Sequence, residues 1–170
     1  MDTLVQHPEW NPFYQLVFAM NYKIAEWLEP ALRALVFKHP EEITKEHARY
    51  LGVDLHWHVV QTCSEVTTHR TYLAYTALEY QQGVFCMAKD QCQAQWKEWW
   101  FSEASRLLLH PDVFLRGADI LKTLEDTEDR RYPGLCYSCH IASLEEMKAT
   151  GALLEEDAII QRRVELLSDC

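Results

Sequence analysis

Cys136 and Cys139 stand three apart in GLCYSCH, residues 134–140, directly after Pro133. A thiolate zinc site is a tetrahedron with Zn–S bonds of about 2.3 Å, so its sulfurs must lie about 3.5–4 Å apart. A C-x2-C pair in a tight turn supplies one edge of that tetrahedron. Two further ligands are needed, and Cys86 and Cys92, a C-x5-C pair in QQGVFCMAKDQC, are the candidates. Cys92 is expected in the first turn of the following helix, where the helix N-terminus favours a thiolate. A shared site of Cys86, Cys92, Cys136 and Cys139 is therefore the leading expectation. Two other chemistries stay open. The thiols can pack as small hydrophobes, or Cys136 and Cys139 can form a redox pair, although the thioredoxin pattern needs a βαβ context that is absent here. His140 adjoins the knuckle and is an alternative ligand.

A catalytic zinc site keeps an open position beside three protein ligands, whereas four thiolates close the tetrahedron. The expected cofactor is thus a structural zinc ion, and the chain is expected not to be an enzyme. A small metalloenzyme using His140 or His58 together with the cysteines is the contrasting reading, and it requires an open position. His56 and His58 in DLHWHVV are two apart, which on a helix points them about 200° apart and denies them a common ion. Asp54 and His58 are four apart and share a face, which fits a capping or salt-bridge role. Trp96, Trp99 and Trp100 in WKEWWFSEASRLLLHP read as core, with one of them at the surface. Cys63 reads as core and Cys170 as a terminal residue without a role. The acidic run EDTED, residues 125–129, reads as a solvated loop. No Walker, G-x-S-x-G, H-E-x-x-H or G-x-G-x-x-G pattern occurs.

Helical periodicity dominates the elements that would position these residues. Asn11 and Pro12 open a first helix, with Phe13, Leu16, Val17 and Met20 facing inward. A turn near residues 21–23 leads into a second helix, whose stripe is Ile24, Trp27, Leu28, Ala31, Leu32, Leu35 and Val36, with Pro30 inside it. A short helix is expected from Thr44 to Gly52, and a long one over 55–80. The C-x5-C loop follows, then a helix from about Gln91 to the HPD at 110–112, and another in VFLRGADILKTL. Ser143 with Glu146 predicts a capping-box start for a helix that Gly151 ends. Leu153, Ile160, Val164 and Leu167 give a last amphipathic helix. The expected fold is mostly α: a compact multi-helix domain of about six to eight helices over 1–170, with two cysteine-bearing loops and any strand confined to them.

Composition agrees. The 170 residues are 48% hydrophobic with only five glycines and six prolines, unlike a disordered or a strand-rich chain. A net charge of −10, with no basic stripe, argues against a nucleic-acid partner. No apolar run reaches the roughly 18–20 residues of a membrane span, and MDTLVQHPEW lacks the basic and apolar regions of a secretory signal. An intracellular chain, cytoplasmic or nuclear, is expected, with its six cysteines as thiols or metal ligands rather than disulfides.

Two segments resemble a known family. Ala19, Tyr22, Ile24, Trp27, Leu28, Pro30 and Ala31 follow A-x-x-Y-x-I-x-x-W-L-x-P-A. Ile43, Thr44, Glu46, Ala48, Leu51 and Gly52 follow (L/I)-T-x-E-x-A-x-x-L-G. Together they resemble the helical region after the BTB/POZ domain in proteins of mushroom-forming fungi, and FCMAKDQCQAQWKEWW and GLCYSC resemble that family's cysteine-bearing C-terminal part. The resemblance covers most of residues 11–167. It implies BACK-like helices over 11–80, a cysteine-loop and C-terminal helical part over 81–170, and an adaptor whose partner is a protein. The BTB module has no counterpart in these residues, so its dimerisation and cullin binding are not carried over.

Overall fold

Asn11 takes an extended backbone and its Oδ1 accepts from the Phe13 N–H at 3.0 Å, so the chain enters α1 (Pro12–Tyr22) capped, with proline at the first helical position. The computed structural model describes residues 11–38, 42–111, 113–126 and 133–169. Lys23 turns left-handed (φ 53°) and its N–H closes on the carbonyls of Ala19 and Met20. That is the expected hinge, and α2 (Ala25–Val36) folds back from it. Pro30 removes one backbone donor without ending α2, which still buries Leu28, Ala31, Leu32, Leu35 and Val36. Thr44 caps α3 (Lys45–Leu51) reciprocally with His47, and Gly52 at φ 77° ends it.

The remaining elements are α4 (Val53–Tyr75), α5 (Lys89–Trp99), a π-helical turn (Trp100–Ala104), α6 (Ser105–Leu108), α7 (Gly117–Asp126), α8 (Tyr137–Thr150), a 3-10 turn (Ala152–Leu154) and α9 (Glu155–Ser168). Since α5, the π turn and α6 are continuous, the described residues form eight helical rods and no strand. None of these helices is long and apolar enough to cross a membrane.

Two expected boundaries are corrected. α4 stops at Tyr75 rather than near Tyr80, because its last carbonyls find other donors. Trp100 Nε1–H reaches the Leu73 carbonyl at 3.0 Å, and the Ser105 hydroxyl reaches that of Ala74 at 2.7 Å. Trp96 Nε1–H takes the Leu78 carbonyl at 2.8 Å and fixes the exit path. α8 does not begin at Ser143 but seven residues earlier, with Cys136 in the extended N-cap conformation (φ −74°, ψ 146°). The turn at Pro133-Gly134 sets that start, and Ser143 lies fully buried in mid-helix. Cys170 and residues 127–129 of the acidic run lie outside the described residues.

The chain groups into two compact units, one made of the residues up to Thr67 with those from Asp157 on, the other of Thr68–Glu156. The first is cored by Phe13, Leu16, Leu32, Leu35, Val59 and Ile160. In it His58 Nδ1 lies 3.2 Å from Arg163 Nη1, a partner other than the expected Asp54. Cys63 packs against this core as expected, and burial raises its thiol pKa. The second unit is cored by Trp96, Trp99, Trp100, Ile120, Leu124, Leu144 and Met147, so all three tryptophans are buried. Its polar tie is the buried pair Arg70–Glu156 at 2.9 Å. Arg70 also donates to the Leu115 carbonyl, and Glu156 accepts from the Gly117 N–H.

Candidate metal centre

Leaving α4, residues 76–88 run without helix and are held by contacts far along the chain. The Gln81 N–H donates to Ser143 Oγ at 2.9 Å, and the Ser143 hydroxyl lies 3.3 Å from the Gln81 carbonyl. Gly83 then presses on the first turn of α8 so closely that a Cβ there would stand 2.3 Å from the Ser138 carbonyl carbon. The Cys86 N–H closes a turn on the Gly83 carbonyl at 3.0 Å. Cys92 occupies the first turn of α5, as expected, with its N–H on Ala88. Cys136 and Cys139 sit at the N-cap and third residue of α8, so the knuckle is the helix start itself. Gly134, at φ 88°, makes the preceding turn.

The result is a quartet. Cys86, Cys92, Cys136 and Cys139 bring four sulfurs within 4.8 Å of one another, all of them unbridged thiols. Cys86 and Cys92 Sγ are 3.6 Å apart, close to the roughly 3.8 Å edge of a tetrahedron with 2.3 Å Zn–S bonds. Cys92 and Cys139 are buried, while Cys86 and Cys136 are half-buried. The Gly83 N–H donates to Cys139 Sγ at 3.2 Å, and the Tyr80 hydroxyl shares a hydrogen bond with the same sulfur at 3.0 Å. Tyr80 Oη is also 4.0 Å from Cys86 Sγ, and Ser138 Oγ is 3.5 Å from Cys136 Sγ.

Crowding the four sulfurs together shifts their pKa values in opposite directions. Burial pushes the Cys139 thiol up to about 12, against the pull of Tyr80 and Gly83. Burial also pushes on Cys136, but the Ser138 hydroxyl, the Cys139 N–H and the neighbouring thiols outweigh it and bring Cys136 down to about 6. For Cys92 the Cys136 backbone lowers the pKa, yet burial and the sulfurs of Cys86 and Cys136 leave it raised. Burial, and then the sulfurs of Cys139 and Cys86, raise Tyr80. Like charges this close cannot all ionise unaided. A cation at their centre removes that conflict, and four soft sulfurs suit zinc or iron and not calcium or magnesium.

His140 stands outside the quartet. Its buried ring meets Trp99 edge-on at 4.9 Å and lies 6.3 Å from Trp96. His56 and His58 lie on α4 and take no part in the cluster. Sequence reasoning missed Tyr80, Gly83 and Ser138, which carry no local motif, and gave Ser143 a capping role in place of its bond to Gln81.

The fold and the site thus define an all-α chain with a four-cysteine cluster close enough to bind a metal ion. No family model, curated protein or solved structure matches the chain.

Proposed function

We propose that the chain is a non-enzymatic protein-interaction domain of the BTB-associated adaptor type, stapled by one structural zinc ion on Cys86, Cys92, Cys136 and Cys139. The observation that carries the zinc half is the sulfur quartet within 4.8 Å, drawn from two separate breaks in the helical pattern. Four thiolates fill a tetrahedral ion and leave no position for water or substrate, which favours a staple over a metalloenzyme. When bound, the ion supplies folding energy on the order of 10 kcal/mol to the Thr68–Glu156 unit.

The adaptor half rests on the resemblance to the helical region after the BTB/POZ domain. Its support in the molecule is the apolar surface beside the cluster: Val84, Phe85 and Met87 are 91%, 86% and 99% exposed around Cys86, between Gly83, whose N–H bonds Cys139, and Cys92. A rigid apolar surface binds a protein at lower ordering cost than a floppy one. A reducing, intracellular setting fits the free thiols.

The test is metal content by mass spectrometry with thiol titration before and after chelation. One zinc per chain, with four thiols appearing on chelation, is the expected outcome. A metal-free protein whose thiols all titrate freely would overturn the reading.

A further inference from the structure

We propose that Tyr80 is a positioning residue of the metal centre, its phenol donating a hydrogen bond to the Cys139 thiolate and making that sulfur the least reactive of the four ligands. This rests on the reading of the quartet as a metal site.

Tyr80 Oη lies 3.0 Å from Cys139 Sγ. In a free thiol either atom can donate. A metal-bound thiolate has no proton, so the phenol must be the donor and the sulfur the acceptor. Packing alone does not account for the hydroxyl. The ring is partly buried against the tryptophan core, a place phenylalanine would fill as well, and a hydroxyl carried into such a site needs a polar partner. The sulfur is that partner.

The position of the donor follows from charge. Four thiolates around a divalent ion carry a net charge of −2, in a chain already at −10. Half-buried Cys86 and Cys136 can take hydrogen bonds from water, but Cys139 is wholly buried. Cys139 receives the Gly83 N–H and the Tyr80 hydroxyl, two donors on the sulfur that water reaches least. Hydrogen bonds to an ionised acceptor are about twice as strong as neutral ones. They also withdraw electron density from the sulfur, which lowers its reactivity toward electrophiles and raises the energy of its charge transfer to a metal. Such outer-shell partners typically govern about 10–100-fold in metal affinity.

The test uses the full chain in three forms: wild type, Tyr80→Phe, and 3,5-difluorotyrosine placed at position 80, whose phenol is a stronger donor. Each is loaded with cobalt(II) for spectroscopy and with zinc for labelling. The sulfur-to-cobalt band is expected to move to longer wavelength in Tyr80→Phe and to shorter wavelength with difluorotyrosine. Zinc affinity is expected to fall about 10-fold in Tyr80→Phe. In the zinc-loaded variant, iodoacetamide should modify Cys139 several-fold faster relative to Cys92, as mapped by peptide mass spectrometry. Unchanged bands and an unchanged Cys139-to-Cys92 labelling ratio would make Tyr80 a packing residue and overturn the proposal alone. A wild-type protein with no tetrahedral cobalt spectrum would overturn the metal centre, and this inference with it. If Tyr80→Phe fails to fold by circular dichroism, the difluorotyrosine form decides by the direction of its band.

Discussion

Gly83→Ala separates a shared metal site from four thiols that merely lie close. The substitution adds one methyl group where the C-x5-C loop meets the first turn of α8. Gly83 has no left-handed backbone to lose, so its effect is steric. The new Cβ would stand 2.3 Å from the Ser138 carbonyl carbon and 2.4 Å from its oxygen, both backbone atoms that cannot swing aside. Ordinary contact begins at 3.4 Å, so the loop must retreat about 1.1 Å.

A metal site accepts errors of only about 0.2 Å around a Zn–S bond of about 2.3 Å. The retreat therefore breaks the 3.2 Å Gly83 N–H bond to Cys139 and draws Cys86 from the ion. A hydrogen bond to a charged group contributes about 1.5–3 kcal/mol. Its loss alone weakens zinc about 10- to 150-fold, and loss of Cys86 adds to that. The assay is zinc competition against a chromophoric chelator, with a count of titratable thiols at zinc saturation. Gly151→Ala is the control. Gly151 has φ 65° with nothing within 4 Å of a Cβ, so alanine there costs about 1–2 kcal/mol of strain and should leave zinc affinity alone. Wild-type affinity and four protected thiols in Gly83→Ala would refute the geometry.

Zinc binding near neutral pH should release at least two protons, from Cys92 and Cys139, whose pKa values are raised, and affinity should fall as pH falls. Calorimetry in buffers of different ionisation enthalpy measures this, and release of less than one proton would contradict it. In the chelated chain the Cys136 pKa, lowered from 9.0 to about 6 among its neighbours, gives a contribution to stability that is fully present above pH 9.0 and lost as pH falls through 6, which urea melts across that window would detect. Glu156→Ala leaves buried Arg70 without its carboxylate and should cost about 3–5 kcal/mol in urea unfolding of the zinc-loaded protein. Glu29→Ala, at the half-exposed Arg33 pair, should cost under about 1 kcal/mol by the same assay. Chelation should speed hydrogen exchange at Gly83 and Cys86 far more than in α5. Uniform acceleration would mean that the ion supports the whole unit instead of the loop.

What could be read in advance is what local chemistry decides. Asn11, Pro12 and Thr44 announce their helix starts because a cap is made by the capping residue and the three that follow it. The cysteine set was legible because a C-x2-C pair confines two sulfurs whatever the rest of the chain does. Ser143 misled because its pattern with Glu146 makes a cap only if the chain is not already helical, and the Pro133-Gly134 turn had started α8 earlier. The end of α4 was overrun because apolar residues continue to Leu78, while the stop is set by Trp100 and Ser105, 27 and 31 residues beyond the carbonyls they take. Tyr80, Gly83 and Ser143 act on partners 56–62 residues away, a separation over which spacing has no meaning.

The position of the proposed staple follows from how the second unit divides between packed helices and an irregular stretch. Its helices bury tryptophan, leucine and isoleucine against one another. Residues 76–88 differ: thirteen residues without a helix, whose tip turns Val84, Phe85 and Met87 outward and so gains little from burial. Fixing each such residue costs on the order of 1 kcal/mol in backbone entropy, a total of the same order as the roughly 10 kcal/mol a structural zinc returns. The four cysteines stand where that cost falls, Cys86 inside the irregular stretch and Cys92 just beyond it, with the other two on the first turn of α8. On the proposed reading, an apolar tip kept outward and ordered by metal, rather than buried and ordered by the core, would be a surface open to another molecule, which is how the zinc and adaptor halves of that reading would belong to one device.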